Sequence, residues 1–303
     1  MLGGSGMLGS IVVDYLSRDP ALKVVGTVRS ARLLERCGAT LSHVEWRLFD
    51  AGVADTEGLA SVIAGASWII NAIGITKPYT HDDIPMEIDR AIRINALLPR
   101  RLAECAGKTG ARVLQIATDC VYSGTRGAYV EPDLHDALDV YGKTKSLGEG
   151  PQPNLHNLRC SIVGPEPKAY VFLLEWFRRQ PKGARLKGYT NHRWNGITTL
   201  HFAKLCHGII TRELELPHVQ HVVPRGIVSK AELLQCFARA FRRSDVVINP
   251  VEAGMVVNRD LATVNAELNR RVWVAAGHPE PPSVPEMVEE LARFEYGWSR
   301  FEP

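Results

Sequence analysis

Through roughly the first 160 residues, short runs of β-branched and aliphatic side chains alternate with longer stretches whose apolar positions recur every three or four residues. That alternation marks strand–helix–strand units wrapped around a parallel sheet. It predicts strands over Lys23 to Val28, Glu45 to Phe49, Trp68 to Ala72, Arg112 to Ala117 and Asn157 to Val163, and helices over Met7 to Leu16, Thr56 to Ile63, Met86 to Ala106 and Tyr141 to Gly148. Further along, Pro and Gly break shorter elements, with helices expected at Thr199 to Thr211, Lys230 to Arg242 and Val284 to Phe294. The expected architecture is α/β: residues 1–165 form a doubly wound parallel sheet, and residues 166–303 form a smaller lobe, some of whose segments return to the first.

A glycine-rich turn over residues 3–9 opens the first helix, and in such a unit that turn follows a strand of about five residues. Only Met1 and Leu2 precede it. The first strand is therefore largely missing; since it belongs at the sheet centre, its two neighbours are expected to be unpaired and apolar helix faces uncovered. The natural start of the chain is expected to lie upstream of Met1.

Composition narrows the function classes. Hydrophobic residues make up 45% and charged residues 23% of the 303, the usage of an ordinary folded protein rather than a disordered or fibrous one. A formal charge of +3 is too even for a dedicated nucleic-acid binder or a polybasic membrane anchor. No apolar run approaches the roughly 18 residues of a membrane span, and no leader-like segment opens the chain, so a cytoplasmic location is expected. The six cysteines, Cys37, Cys105, Cys120, Cys160, Cys206 and Cys236, form no CxxC pair, so neither a zinc site nor a disulfide framework is indicated.

Gly3, Gly6 and Gly9 spell GxxGxxG, while Gly4, Gly6 and Gly9 also satisfy GxGxxG; Met7 and Leu8 begin the helix. Either template lets backbone approach a pyrophosphate closely at a helix N-terminus, where unpaired N–H groups and the dipole attract anions. This makes residues 1–165 a Rossmann-type dinucleotide-binding domain. At the end of the following strand, where a carboxylate would receive a ribose 2′-hydroxyl, the chain has Arg29, a residue suited to a 2′-phosphate. NADPH is therefore the expected cofactor, with NADH as the alternative. Asp50 can accept from an adenine amine, and Ala72, Ile73 and Gly74 can lay backbone against the adenosine ribose.

Tyr141 and Lys145, spaced i, i+4 at the start of a helix, lie on one face about one turn apart. A lysine cation beside a phenol favours phenolate, so the tyrosine can exchange a proton with a carbonyl oxygen. Thr118 stands at the C-terminal end of a predicted strand, the edge where open α/β sheets place ligands, and its hydroxyl can orient that oxygen.

The segments Gly3 to Gly9, Asn71 to Gly74, Ala117 to Tyr122 and Tyr141 to Lys145 together resemble extended short-chain dehydrogenase/reductases, and within them the dTDP-4-dehydrorhamnose reductase type. The stretch Gly188 to Leu200 is similar, more loosely, to the substrate side of sugar-nucleotide reductases in that group. The resemblance implies NADPH-dependent reduction of the 4-keto group of a nucleoside-diphosphate-linked deoxysugar, in the making of a surface polysaccharide. It gives catalysis to Thr118, Tyr141 and Lys145, a structural role near the lysine to Asn95, and substrate contacts to Thr118, Asp119 and Cys120. The related 4,6-dehydratases carry Thr-Asp-Glu where this chain has Thr118, Asp119 and Cys120, which disfavours dehydration. GDP-fucose synthase-like epimerase/reductases place a cysteine there, so a coupled epimerisation stays open. Met7 and Cys120 depart from the Gln and the aromatic usual in rhamnose reductases. The beta subunit of methionine adenosyltransferase resembles the same reductases, so a non-catalytic NADP-binding regulatory subunit is the rival reading.

Arg178, Arg179, Lys182, Arg185, Lys187 and Arg193 fall in a stretch without Asp or Glu. Such a patch either draws an anionic substrate or is a solvated face. Arg185 and Arg193 are the candidate diphosphate contacts; Trp194 and Tyr189 are candidate stacking partners for a base, and Lys77 lies in a loop expected near the site. No carboxylate cluster with ligand-like spacing predicts a metal. The expected partner is a nucleotide sugar, and a homodimer is compatible with the sequence.

Overall fold

The computed structural model describes residues 1–300. In chain order, helix α1 (Met7–Leu16), strand β1 (Val25–Val28), α2 (Ala31–Thr40), β2 (Glu45–Leu48), α3 (Thr56–Ile63) and β3 (Trp68–Asn71) are followed by α4 (Pro85–Ala91), α5 (Leu98–Gly107), β4 (Arg112–Ala117), α6 (Val140–Gly148) and β5 (Leu155–Arg159). The second half holds β6 (Ile162–Val163), α7 (Leu173–Arg178), β7 (Arg185–Tyr189), β8 (His192–Trp194), β9 (Ile197–Thr198), α8 (Thr199–Thr211), β10 (Val219–His221), β11 (Val228–Ser229), α9 (Lys230–Ala240), β12 (Val247–Val251), β13 (Val257–Asn258), α10 (Ala266–Ala275) and α11 (Val284–Arg293).

Strands β3, β4, β5 and β10 form one parallel sheet, and β1 with β2 form a parallel pair beside it. The seam between them differs from the sequence expectation, because Met1 and Leu2 occupy it. Leu2 N–H donates to the Ile70 carbonyl at 2.9 Å and its carbonyl accepts from Ala72, while Thr27 N–H donates to the Met1 carbonyl at 3.0 Å. Two residues thus make the backbone bonds of a central strand, and Leu2 is buried.

Both faces of this sheet are covered, as a parallel sheet requires. On one, Leu8, Ile11, Val12 and Leu16 of α1 join the cluster containing Phe202, Leu205, Cys206 and Ile209 of α8. On the other, Leu59 and Val62 of α3 meet Leu98, Leu102 and Cys105 of α5. The remaining strands form small sets, β11-β8-β13, β12-β7 and β6-β9, around α9 and α11.

Two predicted elements are broken in the structure. The strand expected over Asn157 to Val163 splits, because β5 pairs with β4 and β10 whereas β6 pairs with β9. The helix expected over Met86 to Ala106 contains a π-helical turn, Ile92–Leu97, between α4 and α5. Such wide turns buckle a helix outward and recur at functional sites. No helix among the described residues is long and apolar enough to cross a membrane.

Candidate active site

The glycine turn is locked to the sheet by Gly3 N–H donating to Thr27 Oγ1 at 3.1 Å and Gly4 N–H donating to the Thr27 carbonyl at 2.8 Å. Gly9 sits where α1 crosses the turn so tightly that a Cβ would lie 2.1 Å from the Gly3 carbonyl oxygen. Gly6 is the N-cap of α1 and supplies no side chain to the first N–H groups, and the first turn holds no acid. A helix start of this kind leaves N–H groups free to receive an anion. Met7 and Leu8 lie in that first turn, and Ile73, beside Ala72 and Gly74, packs on Gly3. Arg29 is exposed just past β1. Asp50 is also exposed, and its Oδ1 accepts from Gly52 N–H at 2.9 Å, so the carboxylate that sequence offered to adenine already caps its own turn.

At the C-terminal end of β4 the chain turns sharply, with the Thr118 hydroxyl accepting from Cys120 N–H at 3.1 Å and donating to Asp119 Oδ1 at 3.2 Å. The Thr118 side chain also lies close enough to Tyr141 to draw the pKa of its phenol down. Lys145, one turn along α6, is buried and donates to the Ile116 carbonyl at 2.8 Å. Burial lowers its pKa to about 8, against the pull of the Glu149 carboxylate. Burial likewise pushes the Tyr141 phenol well above its ordinary range, reinforced by Cys120 and opposed by Thr118. Lys77, in the loop after β3, donates to Asp139 at 2.7 Å and stands 6.0 Å from the centre of the Tyr141 ring. Asp139 in turn caps α6 by accepting from Gly142 N–H.

Asn95 lies in the π-helical turn and is fully buried. Its side chain accepts from Ile75 N–H at 2.8 Å, donates to the Ile75 carbonyl at 2.9 Å and reaches Thr144 Oγ1 at 3.2 Å, clamping the loop after β3 to the helix that carries Tyr141 and Lys145. Gly148 allows the crossing, since a Cβ there would lie 2.0 Å from the Asn95 carbonyl oxygen.

Behind α6 lies a polar network that sequence reading did not find. Arg159, at the end of β5, pairs with both Glu149 oxygens, reaches Tyr122 Oη at 2.7 Å and contacts ring nitrogens of His135 and His221. Its members are spread from residue 122 to residue 221, so no local spacing announces it.

A family model described as the RmlD substrate binding domain matches residues 1–294. The chain belongs to this family. Among curated relatives, a dTDP-4-dehydrorhamnose reductase of Aggregatibacter actinomycetemcomitans is 37% identical over 82 residues, 27% of this chain and 27% of that protein. Methionine adenosyltransferase 2 subunit beta of Rattus norvegicus is 37% identical over 68 residues, 22% of this chain and 20% of that protein. The matched part is thus about a quarter of those relatives' length. Among solved structures, the dTDP-4-dehydrorhamnose reductase of Bacillus anthracis in complex with NADP superposes with a TM-score of 0.69 at 19% identity, covering 96% of each chain. The RmlD-family fold is therefore shared along almost the whole chain.

On the substrate side of this RmlD-family chain the structure revises several expectations. Trp194 is buried, with its Nε1–H donating to Ser161 Oγ at 2.9 Å, so it is a core residue and not a free stacking surface. Arg193 pairs with the buried Asp260 at 3.3 Å, and Arg178 and Arg179 share Glu175, so half of the basic residues of the stretch already face carboxylates of the chain itself. Arg185 is exposed on β7, with its guanidinium 3.5 Å from Asn249 Oδ1. Two cations that sequence did not single out stand nearer. Lys230, first residue of α9, carries its ammonium 5.4 Å from the Trp194 ring and feels the charge of Asp119 and Cys120, while Arg259 donates to the Tyr122 and Ser123 carbonyls. Burial raises the pKa of Asp119 against both cations. Away from the cleft, His201, His278 and Glu290 bring ligand-type atoms within 4.8 Å of one another, a cluster of separated residues; the Lys204 ammonium already bonds Glu290 there.

Proposed function

We propose that this protein is an NADPH-dependent reductase of the 4-keto group of a nucleoside-diphosphate-linked deoxysugar. The observation that carries the reading is the meeting of Thr118, Tyr141 and Lys145 at the end of β4, with Lys145 anchored to the Ile116 carbonyl at 2.8 Å. The residues that would hold NADPH are Gly3, Gly6, Met7, Leu8 and Gly9 at the pyrophosphate, Arg29 at the 2′-phosphate, Asp50 and Ala72 to Gly74 on the adenosine side, and Tyr141 and Lys145 at the nicotinamide ribose. The turn without a Cβ at Gly9 and the uncapped, acid-free start of α1 fit that assignment. When bound, NADPH supplies hydride to the carbonyl carbon.

The chain's own residues do the rest. Thr118 donates to the ketone oxygen and fixes its direction. Tyr141, protonated at neutral pH, delivers its proton to that oxygen as negative charge builds. Lys145 keeps a positive charge beside the phenol and favours the phenolate left behind. Cys120 is pushed up to about 12 by burial and by Asp119, so no thiolate is present to abstract a ring proton, which favours plain reduction over coupled epimerisation. Asp119, Lys230 and Arg259 border the substrate side.

Oxidation of NADPH by the protein against a panel of nucleotide-linked 4-keto-6-deoxy sugars, with Tyr141→Phe alongside, tests the reading. Turnover that falls by about 10²-fold or more in the variant supports it. Tight NADPH binding without turnover on any sugar favours the rival, a regulatory subunit, which the methionine adenosyltransferase similarity keeps in view.

A further inference from the structure

The loop after β6 reaches back to the glycine turn. Glu166 is buried, and its carboxylate accepts from Phe172 N–H at 2.7 Å, closing the 166–172 segment. Inside that closure Ala169 and Tyr170 both adopt left-handed backbone, φ 70 and 56, a conformation that costs non-glycine residues energy. The Tyr170 ring is covered by the Arg179 guanidinium at 3.4 Å. The loop so fastened at its base and at Tyr170 carries Lys168, whose ammonium donates to Ser5 Oγ at 3.5 Å, inside the glycine turn.

Arg29 stands near the same turn. Gly4 is bound to Thr27 at the end of β1, and Arg29 follows two residues later. The two cations are close enough for the charge of Arg29 to depress the pKa of Lys168, behind burial as the larger cause. Among the described residues neither has an ion pair with a carboxylate, and the first turn of α2, capped by Ser30, holds no acid. Like charges held together by a closed loop, with no counter-charge, are unfavourable by themselves and become favourable around an anion.

We infer that Lys168 is a specificity-determining residue that closes the adenosine 2′-phosphate site together with Arg29, so that a loop of the second half of the chain selects NADPH over NADH. This rests on the cofactor reading above and adds a residue outside the glycine-turn unit. It involves no chemical step; the lysine forms a charge-assisted hydrogen bond to a phosphate oxygen.

The test is binding by the full chain, measured calorimetrically, of NADPH, NADH and the fragment adenosine 2′,5′-bisphosphate against ADP, in wild type, Lys168→Gln and Lys168→Arg. The expected result is a loss of about tenfold or more for NADPH and the bisphosphate in Lys168→Gln, with NADH and ADP changed less than about twofold, and recovery in Lys168→Arg. An unchanged NADPH affinity in Lys168→Gln, while wild type still prefers NADPH, overturns the assignment but leaves the cofactor reading standing. Equal losses for NADPH and NADH also overturn it, since the lysine would then serve the pyrophosphate. Wild type that binds neither dinucleotide overturns both. Melting temperatures of the variants separate lost binding from lost folding.

Discussion

The Lys145 ammonium donates to the Ile116 carbonyl at 2.8 Å, two residues before Thr118 on the same strand end. Burial holds its pKa near 8, below the 10.5 of a free lysine. The charged amine is therefore lost as pH rises through about 8, and with it the support for the Tyr141 phenolate. For reduction, kcat/KM should fall along an alkaline limb centred near pH 8. Stability moves the other way: between about 8 and 10.5 the unfolded chain binds more protons than the folded one, so this group's contribution rises with pH. Glu149 raises the Lys145 pKa, so Glu149→Gln should shift the alkaline limb to lower pH; it should also destabilise the fold by about 3 kcal/mol, because Arg159 then remains buried without its carboxylate.

The Asn95 side chain satisfies both backbone groups of Ile75 as well as the Thr144 hydroxyl. Replacing it with leucine, Asn95→Leu, keeps the volume roughly and strands those partners. A loss of about 1–3 kcal/mol in denaturant unfolding is expected. Under conditions where the variant is fully folded, kcat should still drop, since the clamp sets the position of α6. Wild-type kcat in a folded variant would reduce Asn95 to a packing residue.

His201 is buried and neutral, bonding Glu290 at 3.0 Å, and burial lowers its pKa below 6.5. Glu290 is held at about 2 by the hydrogen bonds from His201 and Lys204. The signs agree. A histidine with a depressed folded pKa costs stability as pH falls below 6.5, and a carboxylate with a depressed folded pKa loses its contribution between about 4.5 and 2. Thermal midpoints should therefore decline in two acid steps, and Glu290→Gln should flatten the lower one. A midpoint independent of pH from 7 to 3 would contradict this arrangement.

Sequence legibility followed how local each signal was. The helix Thr199 to Thr211 could be read directly because its apolar face and its capping Thr198 lie within one stretch. Tyr141 and Lys145 were legible from a four-residue spacing, and the glycine turn from its punctuation. By contrast α2 was missed although Leu33, Leu34, Cys37 and Leu41 recur at helical spacing and pack in one cluster; Cys37 is its one buried residue, and the rest of its surface is polar or small. The split of Asn157 to Val163 was hidden because Cys160 and Ser161 carry no turn signal, and only the partner strands, β4 and β10 against β9, distinguish the two halves. Arg193 and Trp194 looked like ligand contacts because Asp260 and Ser161, which engage them, are far away in sequence. Arg159, Lys168, Lys230 and Arg259 had no local signal; distant partners define their places.

The sheet edge supplied by β10 and the cover supplied by α8 have a consequence for biogenesis. Residues that finish the dinucleotide-side layer, up to His221, are translated long after its glycine turn. A nascent chain that has emerged only as far as β5 would expose the flank of α1 and the unpaired rim of β5. Since chains are synthesised N-terminus first at about 5–20 residues per second, that exposure lasts for seconds and is a window for chaperone engagement.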